Sequence, residues 1–257
     1  MKDLGVLKYF LGIEVTRSTT SIYLSQSKYV LDLLIETSML GCAPAETLMV
    51  QNHHLPIYPD QVLTNKERYQ RLMGRLIYLS HTRLDIAYAI SVVSQFMHSP
   101  SEDHLTAVMR ILSYLKKAPG RGLIFKKLGH LDAKGYTDAN WAGNITDRCS
   151  TSGYFTFIGG NLVTWQSKKQ NVMARSSAKA EYRGISQGVC ELLFLRILLF
   201  EIGFPPKKVM ELYCNNQVAR EIINNPIQHD RTKHVEVDRH YIKEKLVEKL
   251  INITFVK

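Results

Sequence analysis

The sequence has little cysteine: Cys42, Cys149, Cys190 and Cys214 are widely spaced in 257 residues, with no CxxC pair among them. That spacing argues against a disulfide scaffold and against a cysteine zinc site, and fits reduced thiols inside a cell. Long apolar runs are missing too. The most apolar stretch, Leu192 to Phe204, is interrupted by Arg196 and Glu201 and falls short of the roughly 20 residues a bilayer span needs, so no membrane partner is expected. The opening MKDLGVLKYF carries an acid at Asp3 and no small-residue cleavage site after an apolar run. It therefore does not read as a signal peptide, and the expected location is intracellular, cytoplasmic or nuclear. No internal repeat or low-complexity run is visible, and 45% apolar residues are enough to exclude a disordered chain.

What is present is positive charge. Lysine and arginine number 33 against 23 aspartates and glutamates, a formal net charge of +10. The excess is shared evenly, with 15 basic and 10 acidic residues up to position 130 and 18 and 13 after it. A basic surface spread in this way suits a long polyanion better than one small acidic ligand, and such binding weakens with salt. Charge alone leaves a nucleic acid and no specific partner equally open.

The chain reads as two domains, 1–128 and 129–257. In the first, residues 7–24 read as a β-hairpin. A helix capped by Ser25 or Ser27 follows over Tyr29 to Met39, and three more are expected over Asn65 to Ser80, Leu84 to Met97 and Glu102 to Lys117. Tyr78, Tyr88 and Tyr114 fall among apolar residues on these helices and are expected in the core. In the second, strands are expected over Leu131 to Asp138, Thr151 to Ile158 and Asn161 to Gln166, the last two joined by Gly159-Gly160, which can supply the positive φ of a tight turn. A short strand at Val172 to Arg175 precedes a helix from Ser176-Ser177 to about Ile202, whose second half, apolar almost all round, is expected to be buried. A strand over Val209 to Cys214, a short helix from Asn216, a helix from about His234 to Leu250 and a final strand to Val256 complete the order.

Three carboxylates occupy positions where a soluble fold normally places apolar groups. Alternation puts Asp138 on one strand face with Tyr136 and Asn140. Helical spacing aligns Glu181 with Ile185, Val189 and Leu192, and Asp238 with Val235, Ile242 and Leu246. Buried carboxylates need compensation, and the residues leave two sources open: ion pairs with Arg183, Lys233 or Arg239, or bound cations.

From Gly135 onward the chain reads GYTDANWAG, DRCSTSGY, GGNLVTWQSKK, RSSAKAEYRG, CELLFLR, LYCNNQVA and RTKHVEVDRHYIKEK. This string resembles the ribonuclease H domain of copia-type retrotransposon Pol polyproteins. MKDLGVLKYFLGIEV, YLSQSKYVLDLL, YQRLMGRLIYLSHTRLDIAYA and SQFMHSPSEDHLTAVMRILSYLK look like the part of the same family's reverse transcriptase that follows its polymerase active site. The resemblance is collinear over nearly the whole chain. It implies an α/β ribonuclease H-like fold with a mixed five-stranded sheet, preceded by an α+β thumb and connection remnant of reverse transcriptase.

The resemblance also implies a site. In the family four acidic residues hold two Mg²⁺ ions, with Mn²⁺ as the alternative ion, for hydrolysis of the RNA strand of an RNA–DNA hybrid. Three carry over as Asp138, Glu181 and Asp238. The fourth, the Asp of a CDNQ segment, is replaced by Asn215, which removes one negative charge and predicts a weak or inactive hybrid ribonuclease. Cys149, Lys179 and Leu84 are further departures. His234, about one helical turn before Asp238, is a candidate proton shuttle or a packing residue. Ser167, Lys168, Lys169 and Gln170 are candidate contacts to hybrid phosphates. The expected partners are an RNA–DNA hybrid and an intact reverse transcriptase or other Pol subunit. Polymerisation is not expected, because the family's YxDD turn has no counterpart and no Asp-Asp dipeptide occurs. The competing reading is a non-catalytic nucleic-acid-binding or decayed element-derived protein. An integrase would need a different acidic spacing and a His/Cys zinc region, which is absent.

Overall fold

The computed structural model describes residues 5–49, 55, 60–143, 148–217 and 241–256, and the chain divides into two compact units, Met1–Lys126 and Lys127–Lys257. Among the described residues no helix is long and apolar enough to cross a membrane.

In the first unit β1 (Tyr9–Phe10), β2 (Ile13–Arg17) and β3 (Ser21–Ser25) form an antiparallel meander. A fourth strand, β4 (Leu123–Lys126), closes on β3 from about 100 residues later in the chain. Sequence reading misses β4 because it is only four residues long. Its approach depends on Gly122, where a Cβ would lie 1.9 Å from the Leu24 carbonyl oxygen. The first helix, α1 (Ser27–Glu36), corrects the expected serine cap: its N-cap is Gln26, which makes no side-chain cap. Ser25 instead donates its hydroxyl to the Glu14 carboxylate (2.9 Å), whose other oxygen accepts the Lys28 N–H (3.2 Å). A carboxylate from β2 thus serves the helix start, where the dipole favours negative charge.

Helix α2 (Lys66–Leu79) starts at Asn65, whose side chain accepts the Arg68 N–H at 2.8 Å. Loss of such a cap typically costs about 1 kcal/mol, so Asn65→Ala should lower the stability of this unit by about that amount in a urea titration. An unchanged midpoint would show that the cap contributes nothing. The single helix expected over Leu84 to Met97 is broken into a 3₁₀ turn (Leu84–Ile86), α3 (Ala87–Val93) and a second 3₁₀ turn (Ser94–Phe96). Ser91 and Ser94 bond back to the carbonyls of Tyr88 and Ser91, the competition by which serine disturbs a helix. Helix α4 (Glu102–Lys117) has the expected bounds. The buried sides of α1 to α4 make one apolar core around Leu33, Tyr69, Leu76 and Ile111.

Of the three tyrosines expected in the core, Tyr114 packs against it half-buried and donates its hydroxyl to Asp85 at 3.1 Å. Tyr88 is 52% exposed, and Tyr78 is half-buried with its hydroxyl donating to the Leu11 carbonyl. Asp85 is also held by both arms of the fully buried Arg83 (2.9 and 2.8 Å) and by Arg121. Burial pushes the Asp85 carboxyl up, but the hydrogen bonds and charge of Arg83, with Tyr114 and Arg121, hold it below the usual carboxylate range.

The second unit has a five-stranded sheet in the order β7-β6-β5-β8-β9. Its members are β5 (Ala133–Asn140), β6 (Thr151–Ile158), β7 (Asn161–Lys169), β8 (Met210–Cys214) and β9 (Ile251–Phe255). β6 pairs antiparallel with both β5 and β7, while β8 and β9 run parallel to β5. This is the mixed ribonuclease H-like sheet expected, with β5 at its centre. Gly159 and Gly160, at φ +57° and +76°, make the tight β6–β7 turn that only such dihedrals permit.

Helix α5 (Ser177–Glu201) covers one face of the sheet and is capped by Ser176, which accepts the Lys179 N–H. Two expectations fail nearby. Val172 to Arg175 forms no strand; the Val172 carbonyl instead accepts from Arg183 at 2.7 Å. The second half of α5 buries only a narrow stripe, Leu192, Leu195 and Leu199, and leaves Phe194, Ile197 and Phe200 exposed, because one sheet can cover only one side of a helix. Residues 241–247 are helical within the last expected helix. His234 and Asp238 lie outside the described residues.

Candidate active site

Strands β5 and β8 pair in parallel from Lys134↔Glu211 to Thr137↔Cys214 and then part, β5 continuing to Asn140 while β8 ends. Ligands of open α/β sheets collect in such crevices, beyond the carboxyl ends of parallel strands. Asp138 is the first β5 residue past the last β8 partner, and Asn215 is the first residue past β8. Asn215 Nδ2 donates to Asp138 Oδ1 at 3.1 Å, so the position that carries an acid in the resembled family here offers a hydrogen-bond donor to the neighbouring carboxylate.

Glu181 reaches the same crevice from α5. It heads the buried stripe of Ile185, Val189 and Leu192 and is itself only 5% exposed. Two glycines let the helix descend far enough: a Cβ on Gly184 would lie 3.0 Å from Thr137 Oγ1, and one on Gly188 would lie 3.0 Å from Leu212. The backbone N–H of Ala139, two residues past the last β5–β8 pair, donates to Glu181, and the Glu181 and Asp138 carboxyls lie within hydrogen-bonding reach of each other, with Glu181 Oε2 fully buried. Burial first, and then the negative charge of Asp138, push the Glu181 carboxyl up to about 7, with the Ala139 N–H opposing them.

The open face of the sheet leads away from Asp138. Its cross-strand partner on β6 is Gly153, followed on β7 by Ser167, so among the described residues the neighbouring strand position carries no side chain beside the carboxylate. One step back along the strands, Phe155, Tyr136 and Tyr213 stack in a row with centroids 5.2 and 4.8 Å apart. Strand alternation places Ser167 and Lys169 on the face of Asp138 and Lys168 on the other. Gln170 is buried, and its amide donates to Ser152 Oγ (3.0 Å) and to the Ala180 carbonyl (2.9 Å), tying the start of α5 to β6.

The structure therefore brings together Asp138, Glu181 and Asn215, with Ser167 across Gly153 from them; Asp238 and His234 lie outside the described residues. Among the described residues no group of three or more His, Cys, Asp or Glu side chains is arranged to hold a metal. Two carboxylates within hydrogen-bonding reach of each other, one of them buried, are nonetheless a donor set of the hard oxygen type that Mg²⁺ takes, usually through one or two carboxylates and water. Sequence reading overlooks the Ala139 N–H, the gap at Gly153 and the close approach at Gly184 and Gly188. Only the last has a signal, the four-residue spacing of Ala180, Gly184 and Gly188, which marks a helix stripe without bulk.

No family model matches the chain. Among curated proteins it is 40% identical over 256 residues to the retrovirus-related Pol polyprotein from transposon RE1 of Arabidopsis thaliana, over 100% of this chain and 18% of the relative. It is 38% identical to the corresponding polyprotein from transposon TNT 1-94 of Nicotiana tabacum, over 95% of this chain and 19% of that relative. The chain thus spans less than a fifth of these relatives. Among solved structures, a foamy viral protease-reverse transcriptase in complex with double-stranded DNA superposes with a TM-score of 0.54 at 11% identity, over 96% of this chain and 37% of that one, a likeness of fold.

Proposed function

We infer, from the premise that this chain belongs to the copia-type retrotransposon Pol polyproteins, that its ribonuclease H-type second unit acts on the RNA strand of RNA–DNA hybrids as a phosphodiesterase weakened at Asn215. The observation that carries this reading is the convergence of Asp138 and Glu181 at the parting of β5 and β8, two carboxyls within hydrogen-bonding reach of each other, the Glu181 one buried. Two carboxyls this close cannot both ionise cheaply unless a cation lies between them.

Asp138 and Glu181, with Asp238, would hold divalent metal, Mg²⁺ or Mn²⁺. When bound, the metal activates water towards the phosphodiester and stabilises the departing 3′ oxygen. The chain's own residues do the rest. The Ala139 N–H and the rigid β5 backbone fix the Glu181 carboxylate, and Asn215 fixes the rotamer of Asp138. Ser167 and Lys169 contact the hybrid backbone across the gap at Gly153, Lys168 adds charge from the opposite face, and Gln170 holds α5 in place. His234, outside the described residues, is the candidate proton shuttle. In the net reaction water oxygen bonds to phosphorus and the P–O3′ bond breaks, leaving a 5′-phosphate and a 3′-hydroxyl.

The test is cleavage of an end-labelled RNA–DNA hybrid by the full chain with and without Mg²⁺, against RNA duplex and DNA duplex. Slow, hybrid-selective, Mg²⁺-dependent cleavage that Asp138→Asn removes is expected. Wild-type cleavage indifferent to Asp138→Asn would refute the assignment. A second reading, a hybrid-binding module without turnover, is favoured by the Asn215–Asp138 hydrogen bond, which occupies an oxygen the chemistry would use. Under either reading the +10 charge and the Lys168-Lys169 pair predict hybrid affinity that falls at least tenfold between 50 and 200 mM salt, since each phosphate contact releases counterions. A flat binding curve over that range would remove the phosphate contacts.

A further inference from the structure

We propose that Trp141 is a contact to the nucleic acid, its indole ring packing on the face of a sugar or base of the hybrid while Arg175 beside it meets the adjoining phosphate; this rests on the hybrid-acting reading above. Strand β5 ends at Asn140, and Trp141 opens the turn that follows, three residues after Asp138. That turn is anchored. The Trp141 indole N–H donates to the Ala174 carbonyl at 2.8 Å, and the N–H of Ala142, itself at φ +52°, donates to Ser150 Oγ at 3.2 Å. Ala174 packs with Ala139 and Ala180 in one small buried cluster. Ala139 donates its N–H to Glu181, and Ala180 precedes Glu181 on α5. Trp141 is thus tied to the same few residues that seat the Glu181 carboxyl.

The ring is fixed yet uncovered. Trp141 is 49% exposed, although its one polar atom is satisfied by the backbone, so its large apolar face is left for something else to cover. Val172 and Met173, which run up to the Ala174 carbonyl, are 58% and 55% exposed, and Arg183 holds that segment through the Val172 carbonyl at 2.7 Å. Single exposed apolar residues are ordinary, but a fixed ring joined by two more on an anchored segment makes a patch. Arg175, the residue after Ala174, is exposed at its edge. A flat apolar ring beside a cation suits a nucleic acid, whose sugars and bases offer apolar faces next to phosphates. This contact comes from the α5 side at the end of the sheet, while Ser167 and Lys169 come from the open face, so the two do not duplicate each other.

The chain has two tryptophans, so Trp165→Phe leaves Trp141 as the only indole. Its emission in the full chain is expected to be quenched on titration with an RNA–DNA hybrid whose RNA strand resists cleavage, and saturation should shield it from acrylamide, in step with binding read by anisotropy of an end-labelled hybrid. Trp141→Ala should weaken hybrid binding about 5 to 150-fold, the cost of losing one aromatic stack, without changing its salt dependence, and Trp141→Phe should recover most of the loss. Arg175→Ala should instead flatten the salt dependence, as loss of a phosphate contact does. Emission and acrylamide access that stay constant while anisotropy reports saturation would overturn the contact and leave the hybrid reading standing, as would a folded Trp141→Ala chain that binds like the wild type. No rise in anisotropy at any hybrid concentration would overturn both. Should Trp165→Phe or Trp141→Ala fail to fold by circular dichroism, the emission lost between the wild type and Trp141→Phe isolates Trp141 and carries the same outcomes.

Discussion

Asn215→Asp is expected to raise Mg²⁺-dependent cleavage of an RNA–DNA hybrid by at least roughly tenfold. Disturbing a metal's surroundings typically costs about 10 to 100-fold in affinity or activity, and the substitution reverses two disturbances together. It restores a negative charge at the parting of β5 and β8, and it removes the N–H that now engages Asp138 Oδ1. The gain should depend on Asp138: combining Asn215→Asp with Asp138→Asn should abolish it. Without metal the restored carboxylate would lie beside Asp138, and like charges at that distance oppose each other's ionisation. The variant should therefore be less stable than the wild type in chelator and recover on adding Mg²⁺, because a ligand that binds only the folded state stabilises it. A folded, hybrid-binding variant that shows neither faster cleavage nor metal-dependent stabilisation would place the defect elsewhere, with Cys149 the next position to restore. The non-catalytic reading would then be preferred.

Where the site is legible in the sequence, periodicity made it so. Glu181 stands out because it breaks an apolar pattern of known period, and the structure places it where that pattern puts it, at the head of a buried stripe; the core position expected for Asp138 is not found, because β5 buries Ala133, Gly135, Thr137 and Ala139 and leaves Asp138 and Asn140 exposed on its other face. The Gly159-Gly160 turn was readable for a similar reason, since few residues accept two successive positive φ values. What was not readable depends on partners remote in the chain. Glu14 serving the start of α1 comes from a neighbouring strand, and no local rule points from Glu14 to Lys28. β4 needs β3 to be recognised as a strand at all. The second half of α5 looks buried because composition records apolarity, whereas exposure is decided by how many surfaces reach the helix. The Ala139 N–H is invisible for a different reason: it is a backbone group that becomes a donor only because β8 ends one residue too soon to pair with it.

Glu181→Gln is expected to stabilise the metal-free chain at pH 8 while lowering hybrid cleavage by roughly 10 to 100-fold. Burial and the charge of Asp138 raise the Glu181 carboxyl from 4.5 to about 7. A raised folded-state value means that the folded chain binds the proton more tightly than the unfolded chain. The stability this contributes is fully present below about 4.5 and is lost as pH rises through about 7. At pH 8 the folded metal-free chain thus carries an ionised pair it would rather protonate, a penalty of a few kcal/mol on the scale of roughly 1.4 kcal/mol per pH unit. Glutamine resembles the protonated glutamic acid: its carbonyl can still accept the Ala139 N–H, and its amide can donate to Asp138. The gap between variant and wild type should therefore be largest at pH 8 in chelator and shrink towards zero by pH 4.5. It should also shrink at pH 8 when Mg²⁺ is added, since the cation compensates the same charge that the substitution removes. Urea titrations of both proteins at four pH values, with and without Mg²⁺, measure it, and taking the difference cancels the titration of every other group. A gap that ignores both pH and Mg²⁺ would mean that Glu181 and Asp138 do not share a charged crevice. Metal chemistry at this position would fall with it.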